Sequence, residues 1–249
     1  MTRPGTAEPG RASVPTHGVA GVADAGAFLA RLVRLDPIAP VRLRPAGGPG
    51  RVALWARLPW QVLVVRTVAG GPADGPAEDV TVAAAELLAE LERGGAALPT
   101  RRDAQWRWPL PPAHSRQVEA LPVAELRRIA DAAAGTLRTA SEQGVAGRAV
   151  GQRALRDALL DHVAVRVTPD GAPASPVEVP QRLVQGVVRM GFLGAADGPV
   201  AGPVAGHDEP AVQVRVAGRW VGLVGPYGAA WLQKATDLAV TPVGTRPNG

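Results

Sequence analysis

The chain has 249 residues, of which 46% are hydrophobic, with no cysteine and a formal charge of +5. That is enough apolar material for one large domain or two small ones, while the lack of thiols excludes disulfides, thiolate metal sites and cysteine catalysis. Only one of the 27 basic residues is lysine, a bias of GC-rich codon usage, so the basic pI by itself says little about partners.

Residues 1–20 are rich in Pro, Gly, Thr and Ser without periodicity and read as a disordered tail. They lack the apolar run of a secretory signal, and no stretch of about 18 apolar residues exists to span a membrane, so the cytoplasm is the expected compartment. A first unit covers 21–97. Asp24 is the expected N-cap of a helix whose stripe is Phe28, Leu29, Leu32, Val33 and Leu35, ended by Asp36-Pro37. Residues 41–44 and 51–58 alternate around a Gly-rich turn at 47–50, and 61–68 is nearly continuous in Val and Leu, which predicts a three-stranded antiparallel meander. After a loop at 70–78, residues 80–94 read as a helix with Val82, Leu87, Leu88 and Leu91 inward.

Residues 98–120 form a connector in which Pro109, Pro111 and Pro112 forbid a helix and favour an extended, polyproline-like path. Trp106 and Trp108 sit two apart, so in an extended chain both rings face one way. Exposed together they would be a docking patch; buried, they would pin the connector to the core.

Residues 121–162 carry two helical patterns in tandem. Val123, Leu126, Ile129, Ala130, Ala133, Leu137 and Ala140 form one stripe ending at Gly144, and Val150, Ala154, Leu155, Ala158 and Leu159 form another. A Gly-containing turn between them predicts a helical hairpin. Its six Arg and five acids nearly balance, as on a solvated face rather than a phosphate-binding helix. Residues 163–249 then give a strand at 163–168, a helix at 177–193 with Pro180 in its first turn, a mobile loop at 194–210, and strands at 211–217, 219–224, 229–234 and 238–243.

The expected fold class is therefore α+β, two helix-plus-antiparallel-meander units flanking a central helical hairpin. An internal echo supports the two units: VRLRPAG followed by RVALW at 41–55 matches VQVRVAG followed by RWVGL at 212–223. The order of strand at 163, helix at 177 and strands at 211–243 resembles half of a domain of the sliding clamps of replication, and the length is in the range of two-domain clamps. The resemblance implies a clamp-like fold, from which the helical hairpin would be a departure.

Catalytic signals are absent. Of four His, His17 lies in the tail and His207 in the loose loop, while His114 and His162 lack any metal-binding spacing, and Asp161-His162 reads as a helix terminus. None of the four Ser lies in Gly-x-Ser-x-Gly, and no phosphate loop or dinucleotide fingerprint occurs. No cofactor, metal or catalytic residue is expected, and an enzyme would have to work without a recognisable motif.

One surface stands out. Residues 1–69 hold nine Arg and three acids, whereas 70–120 hold five Arg and eight acids. With Val41, Leu43, Leu63 and Val65 inward, Arg42, Arg44, Arg51, Trp55, Arg57 and Arg66 would share one solvent face, five guanidiniums around an indole. Arg binds phosphate and stacks on bases, and an exposed Trp is a stacking platform. The expected function is non-catalytic binding of a macromolecular partner, first a protein, with nucleic acid on this face as the alternative. No membrane partner is expected, and homo-oligomerisation is open.

Overall fold

The computed structural model describes residues 15–70, 79–144, 151–168, 175–194 and 210–234. The expected loop around 195–209, the strand at 238–243 and most of the expected tail lie outside the described residues.

Helix α1 (Val22–Leu35) buries Ala25, Phe28, Leu29 and Leu32 on one stripe. It is followed by the meander of β1 (Pro40–Pro45), β2 (Arg51–Arg57) and β3 (Leu63–Ala69). Next come β4 (Val80–Ala83) and α2 (Ala84–Glu92), then the connector with one short 3-10 turn at Asp103–Gln105. The second half runs through β5 (Arg116–Pro122), α3 (Val123–Gln143), α4 (Gln152–Asp161), β6 (Val163–Val167), β7 (Val177–Pro180) and α5 (Gln181–Arg189). A second meander closes it: β8 (Ala211–Ala217), β9 (Trp220–Gly225) and β10 (Gly228–Gln233). The fold is α+β, with two helix-plus-meander units as the alternation predicts.

The two meanders do not form separate sheets. Strands β3 and β10 pair antiparallel, Val64 opposite Ala230, and join everything but β6 and β7 into one eight-stranded sheet of order β4-β1-β2-β3-β10-β9-β8-β5. Each half is the mirror order of the other, so β1 corresponds to β8, β2 to β9 and β3 to β10, as the sequence echo suggests. The inner face carries Val41, Leu43, Leu54, Val64, Leu223 and Val214 under the helices, all fully buried.

Two stretches expected as single helices, 80–94 and 177–193, each begin with four residues of strand. β-Branched Val80, Thr81 and Val82 pair with β1, and Val177 and Val179 pair with β6, where a branched side chain fits a pleated surface better than a helical turn. The same strand-into-helix junction occurs at β5–α3. In all three the N-cap residue (Ala83, Pro122, Pro180) makes no side-chain cap. Burial of the first and fourth helical residues anchors the helix instead: Ala84 and Leu87, Val123 and Leu126, Gln181 and Val184.

The expected tail ends earlier than residue 20. Thr16 bridges Ala97 and Val19 bridges Gly70, and His17, only 3% exposed, is the fastener. Its Nδ1 accepts from Val19 N–H at 3.0 Å while Nε2 lies 3.0 Å from Gly95 O as donor. Composition misjudged this segment because a buried imidazole with both nitrogens used is a tertiary contact. Replacing His17 by Ala leaves two buried backbone groups unpaired and should cost about 2 kcal/mol, read as a lower midpoint in urea unfolding.

The helical hairpin is central in sequence but peripheral in space. The first half of α3 buries Val123, Leu126, Ala130 and Ala133, whereas α4 buries no residue.

Candidate functional site

Alternation along β1 and β2 places Arg42, Arg44, Arg51, Trp55 and Arg57 on the outer face of the sheet, opposite the helices, with Arg42 directly across from Trp55. That grouping agrees with the expectation for five of the six residues. Arg66 departs from it. It pairs with Leu54 across the strands and so lies on the helix side, where it is 14% exposed and salt-bridged to Asp24 of α1 at 2.8 Å. Leu63 and Val65, expected inward, lie on the outer face instead. Both faces of β3 are covered, which is why its sequence reads as a continuous apolar run.

What covers the outer face is the connector. Leu63, Ala217, Trp220, Ala229 and Trp231 form a second apolar cluster there, with Trp55, Trp106, Trp108 and Leu110 against it. Five of the six tryptophans of the chain thus meet in one place. Trp106 and Trp108 stand edge to face with centroids 5.3 Å apart, and Trp106 Nε1 donates to Trp108 O at 2.8 Å. They are half-buried pins of the connector. Arg42 lies over the Trp106 ring at 5.5 Å and Arg57 over Trp108 at 4.9 Å. Burial lowers the pKa of Arg57, the sign expected for a cation in a drier site.

Most of the other outer guanidiniums have polar partners. Arg42 makes a two-pronged pair with Asp79 (2.6 and 2.7 Å), and Arg44 reaches the same carboxylate at 2.8 Å. The hydrogen bond to Asp79 raises the Arg42 pKa against the opposing effect of burial. Asp103 belongs to the same edge. Burial alone would raise its pKa, but the Thr81 N–H and Arg101 outweigh it and hold the carboxylate below its ordinary range. Arg215, absent from the sequence-predicted set, joins the face from β8 and holds the connector through Ser115 Oγ at 2.8 Å. Among the described residues Arg51 has no ion pair and is exposed at the start of β2.

The helix side offers a concavity at the seam between the two halves, a cleft of about 310 Å³ between α1, the turn after α5 and the β9–β10 turn. Sequence reasoning missed it because its residues come from segments up to 203 positions apart, from Asp24 to Tyr227. No group of three or more His, Asp or Glu among the described residues is placed to hold a metal. His114 and His162 are both exposed, and the backbone of His162 closes α4 and receives Gln181 N–H at 2.8 Å. No helix among them is long and apolar enough to cross a membrane.

Among solved structures, the chain is similar in fold to a DNA polymerase sliding clamp from Caulobacter crescentus, at 14% identity and a TM-score of 0.48, covering 92% of this chain and 68% of the clamp. It is similar to the DNA polymerase III subunit beta from Pseudomonas aeruginosa at 14% identity and a TM-score of 0.48, covering 87% and 65%. The DNA polymerase III beta subunit from Thermotoga maritima gives 13% identity and a TM-score of 0.47, covering 86% and 62%. The chain therefore spans about two thirds of the length of these clamps. No curated protein matches it in sequence. Two family profiles do match: residues 13–108 match a domain of unknown function, DUF8010, and residues 110–237 match a domain of unknown function, DUF8185. They meet in the connector, between Trp108 and Leu110. Since residues 110–237 are more than half of the 249, the chain belongs to the DUF8185 family.

Proposed function

We propose that this chain is a non-catalytic binding protein that engages a protein partner. The observation that carries the reading is where the acids of residues 70–120 fold. Asp79 pairs with both Arg42 and Arg44 of the basic amino-terminal segment, and the connector's own indoles occupy Arg42 and Arg57. Binding a phosphate backbone takes cations free to neutralise phosphates and release the counterions condensed on them, and these guanidiniums are already spent. On the helix side α2 adds no cation, carrying Glu86, Glu90 and Glu92 and no base. Location in the cytoplasm and self-association belong to the same proposal.

Nucleic-acid contact is the second reading, favoured by Arg51, exposed at the rim of the outer face. A salt titration separates the two. Fluorescence anisotropy with a generic labelled DNA duplex, run between 50 and 200 mM salt, distinguishes slopes of about −0.9 per neutralised phosphate from none. We expect only weak binding, and loss of no more than about fourfold across that range, equivalent to about one contact. Tight binding that collapses by a factor of about a thousand would overturn the protein-partner reading.

A further inference from the structure

Among the described residues the seam cleft holds two guanidiniums, Arg31 and Arg66, and one carboxylate, Asp24. Arg66 is fully occupied: it salt-bridges Asp24 at 2.8 Å, donates to the Tyr227 carbonyl, and lies 5.3 Å over the Tyr227 ring. Arg31 is held differently. Its Nη1 donates to Ala27 O of its own helix at 3.0 Å, and no acid among the described residues pairs with it. Its guanidinium lies flat against Gly191, where a Cβ would fall 2.9 Å from Nε and 3.0 Å from Cζ. Gly191 also has a φ of +71°, which only glycine adopts freely. That φ belongs to the glycine that ends α5, where Phe192 N–H returns to Val187 O at 2.8 Å, and its bare Cα leaves room for the guanidinium; Arg127 of α3 fastens the same turn through Leu193 O and Gly194 O at 3.1 and 2.9 Å. Below it the Phe28 and Phe192 rings stack with centroids 6.4 Å apart, closing the floor.

We infer that this cleft receives a carboxylate of a protein partner, an acidic side chain or a chain terminus, with Arg31 as its principal ligand. The inference rests on the protein-binding reading. A carboxylate matches the planar fork of a guanidinium two-pronged, and an added negative charge balances the surplus positive charge of the cleft. Asp24, 60% exposed beside a largely buried Arg66, is among the described residues the one carboxylate positioned to compete with it. The volume of about 310 Å³ admits a few residues of peptide rather than a folded domain.

The test uses the full chain, isotope-labelled, titrated by NMR with three probes: acetyl-Leu-Glu-Leu-amide, its Gln counterpart, and the Gln peptide with a free carboxyl terminus. Both carboxylate probes should shift the amides of Gly191, Gly194 and Tyr227, and the Gln amide should not. Arg31→Met should weaken binding at least tenfold, the scale of a charged hydrogen bond, with an otherwise unchanged spectrum. Asp24→Asn should strengthen it several-fold by removing the competitor. Equal shifts from the Gln amide, or undiminished binding by Arg31→Met, would overturn the inference. Partner binding that survives Arg31→Met would sink the cleft alone, whereas steep salt-dependent DNA binding would sink the reading beneath it.

Discussion

Replacing Trp106 and Trp108 together by Ala should release the connector from the outer face and cost about 3 to 5 kcal/mol. Each ring is half-buried in the indole cluster, so each belongs near or below the low end of the roughly 3–5 kcal/mol for a large aromatic removed from a core. The edge-to-face pair contributes about 1 kcal/mol shared between them, so the double variant should cost less than the sum of the singles. Arg42 and Arg57 would lose the rings they lie over, but Arg42 keeps Asp79. Guanidinium denaturation measures the loss. Tryptophan emission supplies a local readout, since Trp55, Trp220 and Trp231 lie under the connector and should shift red in the native state. Trp60, whose Nε1 donates to Arg182 O at 3.1 Å on the other side of the molecule, should not. Unchanged emission with unchanged stability would mean that the connector does not depend on these two rings.

Gly222→Val should also be damaging, although valine is the better strand former. Gly222 lies opposite Trp231 across β9 and β10, and a Cβ there would fall 2.4 Å from Trp231 Cε3 and 2.6 Å from Cδ2. The indole lies across the bare backbone, with Trp231 only 7% exposed. Strand propensity offers at most about 1 kcal/mol, while overpacking a closed site costs about 3 kcal/mol, so the clash wins. Thermal unfolding should show a lower midpoint for Gly222→Val and a partial recovery when Trp231→Ala is added. Recovery is partial because that change removes an indole from the cluster.

Much of the fold was legible from spacing. The period-two runs at 41–44, 51–58 and 211–217 are strands in the structure, because a one-sided burial pattern admits one register. The stripe of α1 and the start of α3 were legible for the same reason at period 3.6. The strand-into-helix junctions at 80 and 177 were not. A short apolar run before an amphipathic helix fits either state, and what chose strand was a neighbour to pair with, β1 in one case and β6 in the other.

The candidate sites show the same division. Alternation alone grouped Arg42, Arg44, Arg51, Trp55 and Arg57 on one face. It could not tell which face of β3 looked toward the helices, because both are covered, and so it put Arg66 on the wrong side. Nor could it show that Asp79 would reach Arg42 from 37 positions away.

By itself, then, the sequence determined the local states and the alternation of each strand, since those follow from which side chains can leave water within one element. Only the tertiary structure decided the joining of β3 to β10, the laying of the connector over the indoles, and the pairing of Asp79 with Arg42 and Arg44. Each of these depends on groups distant in sequence meeting in space, and the loop closures that bring them together cost only slowly more with length, so no local pattern records them.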